Sequence, residues 1–139
     1  MSKEIKAIFR RRGFKCTPQR LAVLGILGES IRHLSINEVH KGVKRILPRT
    51  GLATIYRTLE TLEKLGLVVR VHLEDGCQSY MVAPVGHHHP IVCVGCNRVV
   101  DFADCPIEDL SRRLSRKTGF TIKQHFLQLS GKCRECQTL

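Results

Sequence analysis

The chain has 139 residues, 42% apolar and 25% charged, an ordinary composition for a soluble globular protein of one compact unit or two small ones. No run reaches the roughly 18 consecutive apolar residues that a membrane-spanning helix needs, and Met1-Ser2-Lys3-Glu4 has no apolar stretch behind its charge, so no membrane partner is expected and the expected location is cytoplasmic. The net charge of +11 is uneven: residues 1 to 83 hold 15 Lys and Arg against 7 Asp and Glu, and residues 84 to 139 hold 8 against 5. A positive field of this kind attracts a polyanion, of which nucleic-acid phosphate is the commonest in cytosol; the competing account is a solvated basic surface.

Lys3 to Arg12 has helical spacing, with Ile5, Ile8 and Phe9 on one side and Gly13 as its stop. Thr17-Pro18 opens a second helix, since Thr can cap free amides and Pro loses nothing at the first helical position. Leu21, Val23, Leu24 and Leu27 carry it to Gly28. Ser35-Ile36-Asn37-Glu38 reads as a capping box for a third helix with Ile36, Val39, Val43 and Leu47 inward, ended by Pro48. From Thr50 to Gly66 comes the strongest helical pattern, with Leu52, Ile55, Leu59, Leu62 and Leu65 inward and Thr54, Tyr56, Arg57, Thr58 and Thr61 elsewhere.

The period then becomes strand-like from Leu67 to Leu73, turns at Glu74-Asp75-Gly76 and returns through Gln78 to Val82. Helices followed by a two-stranded wing describe a winged helix-turn-helix, with Thr50 to Gly66 as the helix that enters the major groove. Ala83-Pro84-Val85-Gly86 has linker composition. The expected domains are therefore residues 1-83, winged-helix and DNA-binding, and 84-139, dimerisation and metal-binding. The second half reads as strand (Pro90 to Val94), Cys turn, strand (Arg98 to Phe102), helix (Ile107 to Thr118) and strand (Phe120 to Leu129). The fold class is α+β. Three short strands and one helix give a thin core, so zinc and pairing with a second copy are expected to support it.

Two Cys-x-x-Cys pairs, Cys93/Cys96 and Cys133/Cys136, have 36 residues between them. Two short chelating turns can each offer two sulfurs at about 2.3 Å from one ion, so the four are expected to hold a structural zinc. A pair of redox dithiols would need a βαβ context that is lacking here. Cys16, Cys77 and Cys105 make seven cysteines, an odd number that argues against a complete disulfide framework. Buried free thiols are the default for these three, with Cys77 beside the wing turn and Cys105 near Glu108 as candidates for reactivity.

Thr17-Pro18-Gln19-Arg20, the run Gly51-Leu52-Ala53-Thr54-Ile55-Tyr56-Arg57-Thr58-Leu59, His87-His88-His89, the two Cys pairs and His125, in this order, resemble the ferric uptake regulator (Fur) superfamily over nearly the whole chain. The resemblance implies a homodimeric, metal-responsive repressor with an N-terminal winged helix and a C-terminal dimerisation domain. By the same similarity His87, His89, Glu108 and His125 correspond to the family's sensory site. The chemistry agrees with this: His87 and His89, two apart on a strand, share a face, and three nitrogens with one oxygen suit zinc best while accepting iron, nickel or cobalt. His at position 89, where many members have Asp, resembles the zinc-sensing branch. The sensed ion is thus expected to be Zn2+ or Fe2+, ahead of Ni2+ or Mn2+.

His33, His88 and Asp101 fall on the ligand positions of a second, inter-domain family site. Met81 stands there where a carboxylate is usual and Pro90 where a His is usual; Pro offers no side-chain ligand and Met is a soft donor for ferrous iron. Asp101 at its position resembles the peroxide-sensing branch, an alternative within the same fold. Tyr56 and Arg57, with Ala53 and Thr54 near the helix start, are the expected readers of a double-stranded DNA operator; Lys15 and Arg20 are expected at the backbone or minor groove. A zinc hydrolase, the rival from another class, needs three protein ligands and an open water position, which four apparent ligands do not leave, so no enzyme activity is expected.

Overall fold

The computed structural model describes residues 2–30, 32–73, 75–84 and 87–138. Glu74 of the expected turn and Val85 and Gly86 of the expected linker lie outside the described residues. The chain divides into two compact units, Met1–Ala83 and Pro84–Leu139.

The first unit runs α1 (Ser2–Arg11), α2 (Pro18–Glu29), β1 (Leu34–Ser35), α3 (Ile36–Ile46), α4 (Leu52–Lys64), β2 (Val68–His72) and β3 (Gln78–Val82). Local chemistry sets the helix starts. Thr17 accepts a hydrogen bond from the Arg20 amide at 3.3 Å, with Pro18 in the first turn. Ser35 and Glu38 form the reciprocal capping box: the Glu38 amide donates to Ser35 Oγ and the Ser35 amide donates to Glu38 Oε1, both at 3.2 Å. α4 has no side-chain cap at Gly51. His40 Nε2 instead lies 2.9 Å from the Thr50 carbonyl, tying α3 to the approach of α4.

Phe9, Val23, Leu27, Val39, Val43, Ile55, Leu59, Leu62, Val68 and Tyr80 belong to one buried cluster spanning all four helices and the sheet. Each such aliphatic side chain contributes about 1.5–3 kcal/mol by leaving water. Gly42 lets α3 approach α2 closely, because a Cβ there would sit 3.0 Å from the Ile26 side chain. Thr58, expected on the outward side of α4, is 5% exposed, because its position completes the stripe of Ile55, Leu59 and Leu62. Leu52, expected inward, is 38% exposed at the first turn of the helix. The wing has a third strand that periodicity missed: β1 pairs with β3 (Leu34 opposite Tyr80), giving an antiparallel sheet of order β1-β3-β2. Two residues are too short to show a period of two.

The second unit runs β4 (His89–Cys93), β5 (Val99–Phe102), α5 (Ile107–Thr118), β6 (Leu129–Gly131) and α6 (Arg134–Gln137). β4 is the central strand, antiparallel to β5 and parallel to β6. The strand expected from Phe120 to Leu129 is not formed along that length; only Leu129–Gly131 pairs. Among the described residues, those from 120 to 128 pair with no strand. Phe120 and Phe126 are accordingly 71% and 92% exposed. α5 ends at Gly119, whose φ of 77° suits a residue without Cβ and whose amide donates to Ser115 O at 2.9 Å.

Candidate functional site: metal centres and nucleic-acid interface

Cys93 ends β4, Cys96 closes the turn after it, and Cys133 and Cys136 flank and enter α6. The four Sγ atoms all lie within 4.8 Å of one another. Cys96 Sγ and Cys133 Sγ are 3.8 Å apart, which is the edge, about 3.8 Å, of a tetrahedron of sulfurs each about 2.3 Å from a shared ion. The donor set and spacing therefore fit zinc. Gly95 is part of the design, since a Cβ there would meet Cys136 Sγ at 2.8 Å. The Cys133 amide donates to Cys93 Sγ at 3.2 Å, and this bond is the main reason the Cys93 thiol falls to about 6. Cys136 is pushed up to about 12, first by its hydrogen bond with Cys133. Four crowded thiols share protons unequally; a dication makes all four thiolates compatible. Across the two turns Arg98 pairs with Glu135 at 2.8 Å.

The second cluster joins three segments of the same unit. His87 precedes β4, His89 opens it, and His125 comes from the irregular stretch before β6. Their Nε2 atoms form a triangle with sides of 2.9 Å (His87 to His89), 3.0 Å (His87 to His125) and 3.2 Å (His89 to His125). Each ring nitrogen has one in-plane direction for a proton or lone pair, so three cannot satisfy one another pairwise; converging on one cation satisfies all three. A tetrahedral ion at about 2.05 Å from each nitrogen needs sides of about 3.3 Å, close to those present. Cys105 Sγ completes the group, 3.1 Å from His89 Nε2 and 3.4 Å from His125 Nε2. His89 is 5% exposed, and its pKa is lowered first by this burial, then by the neighbouring imidazoles; a backbone hydrogen bond at Leu127 opposes the shift.

Glu108, the carboxylate expected here, is exposed in the first turn of α5 and is not among the ligand atoms that lie within 4.8 Å of one another. It lines, with His87, Ser111 and His125, an adjoining cavity of about 630 Å³. Cys105 stands in this group although it was not among the expected ligands. Its only signal in the sequence was a third unpaired thiol three residues before an expected ligand.

His33 belongs to the first unit, His88 and Asp101 to the second. His88 Nδ1 is buried with no hydrogen-bond partner, and Asp101 is exposed on β5 opposite Pro90. Cys77 is exposed, and the Asp75 carboxylate raises its pKa, which works against the reactivity considered for it.

On the first unit, α4 presents Ala53, Tyr56 and Arg57 to solvent, Tyr56 being 51% exposed. Arg57 donates to Thr54 Oγ1 at 3.4 Å. Thr54, Arg57, Thr61 and Lys64 of α4 face Thr17 and Arg20 across a groove of about 440 Å³. Arg20 is held there: its guanidinium stacks 5.6 Å from the centre of the Phe14 ring and donates to the Lys15 carbonyl, while Lys15 itself is exposed. Among the described residues no helix is long and apolar enough to cross a membrane.

The model of the ferric uptake regulator family matches residues 11–130. The ferric uptake regulation protein of Bacillus subtilis is 37% identical over 136 residues, spanning 95% of this chain and 91% of its own. Among solved structures, the Helicobacter pylori ferric uptake regulator, described as having three functional metal-binding sites, superposes with a TM-score of 0.72 at 27% identity, covering 97% of this chain and 90% of its own. A zinc uptake regulator complexed with zinc and DNA shares the fold, with a TM-score of 0.76 at 24% identity, covering 98% of this chain and 92% of its own. With a winged helix, a four-thiol centre and a second imidazole cluster in place, the chain belongs to the ferric uptake regulator family of metal-responsive, DNA-binding transcription regulators.

Proposed function

We propose that the chain is a repressor that binds operator DNA as a homodimer when a divalent ion, zinc first and iron second, fills the cluster of His87, His89 and His125. The observation that carries this reading is the convergence of three Nε2 atoms within 3.2 Å of one another, two from the start of β4 and one from a segment 36 residues further on. The bound ion supplies a fixed tetrahedral geometry. The chain's own residues do the rest: His125 anchors the irregular stretch before β6 to the start of β4, and with it Phe120, Ile122 and Phe126. Held in one geometry, those exposed apolar side chains suit burial against a second copy, and the dimer spaces two α4 helices for a palindromic site. Linkage requires only that the ion favour the competent state over the others.

Ala53, Thr54, Tyr56 and Arg57 are the proposed readers of base edges and phosphates, with Lys15 and Arg20 at the backbone. The uneven positive charge supports general affinity for DNA, and operator binding fits a cytoplasmic protein. Four donors at the second cluster leave no open water position, which favours regulation over hydrolysis. A gel-shift titration tests the proposal: operator affinity rises with added Zn2+ on protein that retains zinc at its four cysteines. Equal affinity with and without the added ion would sink it.

A further inference from the structure

The loop between β5 and α5 brings a sulfur where the family resemblance places an oxygen. Phe102, the last residue of β5, lies opposite His89 in the sheet register, so the chain continuing past it reaches the His89 ring within three residues. Cys105 Sγ then sits 3.1 Å from His89 Nε2 and 3.4 Å from His125 Nε2. One S–H proton cannot serve two nitrogens that also crowd each other, whereas a shared cation can take all of them. A tetrahedral centre with nitrogens at about 2.05 Å and sulfur at about 2.3 Å has N···S edges of about 3.6 Å, near the distances found.

We propose that Cys105 is the fourth ligand of the regulatory ion, giving a centre of three imidazoles and one thiolate, and that the sulfur tunes the site toward zinc and away from manganese. This rests on the reading of the His87, His89 and His125 cluster as the sensing site. A carboxylate and a thiolate carry the same charge, so the discrimination comes from softness: sulfur favours zinc, and oxygen suits manganese better. Glu108 lines the cavity beside the centre and stays outside it.

Cobalt(II) titrated into full-length protein that already holds zinc at its four cysteines distinguishes the two donors. The expected spectrum has tetrahedral visible bands and a near-ultraviolet sulfur-to-cobalt charge-transfer band. Cys105→Ser removes the charge-transfer band, Glu108→Gln keeps it, and Cys105→Ser weakens zinc binding by more than about 10-fold, at least the loss seen when a ligand's supporting partner is removed. Cys105→Asp, which returns an oxygen donor, keeps cobalt binding without the sulfur band and narrows the preference for zinc over manganese; it serves also if the serine variant does not fold. No charge-transfer band in the unsubstituted protein, or a band that survives both Cys105 substitutions, overturns the proposal. Loss of the tetrahedral spectrum in Glu108→Gln would give the fourth position to the carboxylate and overturn it equally. If operator binding still depends on added metal while the sulfur band is missing, this inference alone fails; if operator binding ignores metal, the regulatory reading fails.

Discussion

The first unit buries a cluster of 13 residues, from Phe9 to Tyr80, whereas Pro90, Val92 and Cys93 are the buried apolar residues of the second among those described. α5 contributes no buried residue, and Leu110, Leu114, Phe120 and Phe126 all remain exposed. The first unit is thus stabilised by apolar area removed from water, and the second by ligand chemistry and by surface that a second copy can cover. The contrast accords with the proposed sensing cluster lying in the second unit: a segment with little core of its own is the one whose geometry an ion can decide.

Four perturbations bear on that contrast, from the largest effect to the smallest. Replacing a zinc-site thiol, Cys96→Ser, weakens a metal contribution that is on the order of 10 kcal/mol for an intact four-ligand site, and unfolds the second unit while α1 to α4 stay protected. Zinc content and residue-level hydrogen exchange check this, and equal loss of protection in both units breaks the comparison. Leu59→Ala, at a site 1% exposed, costs about 2–5 kcal/mol and lowers the unfolding midpoint of the first unit, with zinc stoichiometry unchanged. Phe126→Ser, at a site 92% exposed, leaves monomer stability within about 0.5 kcal/mol. It weakens dimerisation by more than about 10-fold, a loss of about 1.4 kcal/mol, in sedimentation equilibrium.

The smallest effect concerns pH. Hydrogen bonding to Arg32 is the leading cause that lowers the Glu38 pKa, with the Ser35 amide assisting. A depressed carboxylate stabilises the fold above its unfolded value, about 4.3, and that contribution is lost as pH falls through the lower folded value. Glu38→Gln should flatten this acid-side slope of Tm slightly, and only slightly, because both partners are largely solvated.

Much of the first unit was legible because its signals are local. Thr17-Pro18, the Ser35 to Glu38 box and the leucine stripe of α4 each act within one or two turns. The errors there were of the same range: Thr58 lies within the buried stripe between Ile55 and Leu62, and β1 is too short to carry a pattern. In the second unit the Cys pairs were readable, because a chelating turn is a spacing of two residues. The alternation from Phe120 to Leu129 was read as a strand, but a strand needs a partner alongside, and no local pattern reveals whether one is present.

The order of chemistry along the chain, a basic winged helix followed by histidines and two chelating turns, was settled by the amino-acid sequence itself, since propensity, capping and chelate spacing act between near neighbours. Which donors meet was decided only in three dimensions. Cys105 reaches His89 and His125 while Glu108 stays aside, because strand register and the loop after β5 determine proximity between residues far apart in sequence.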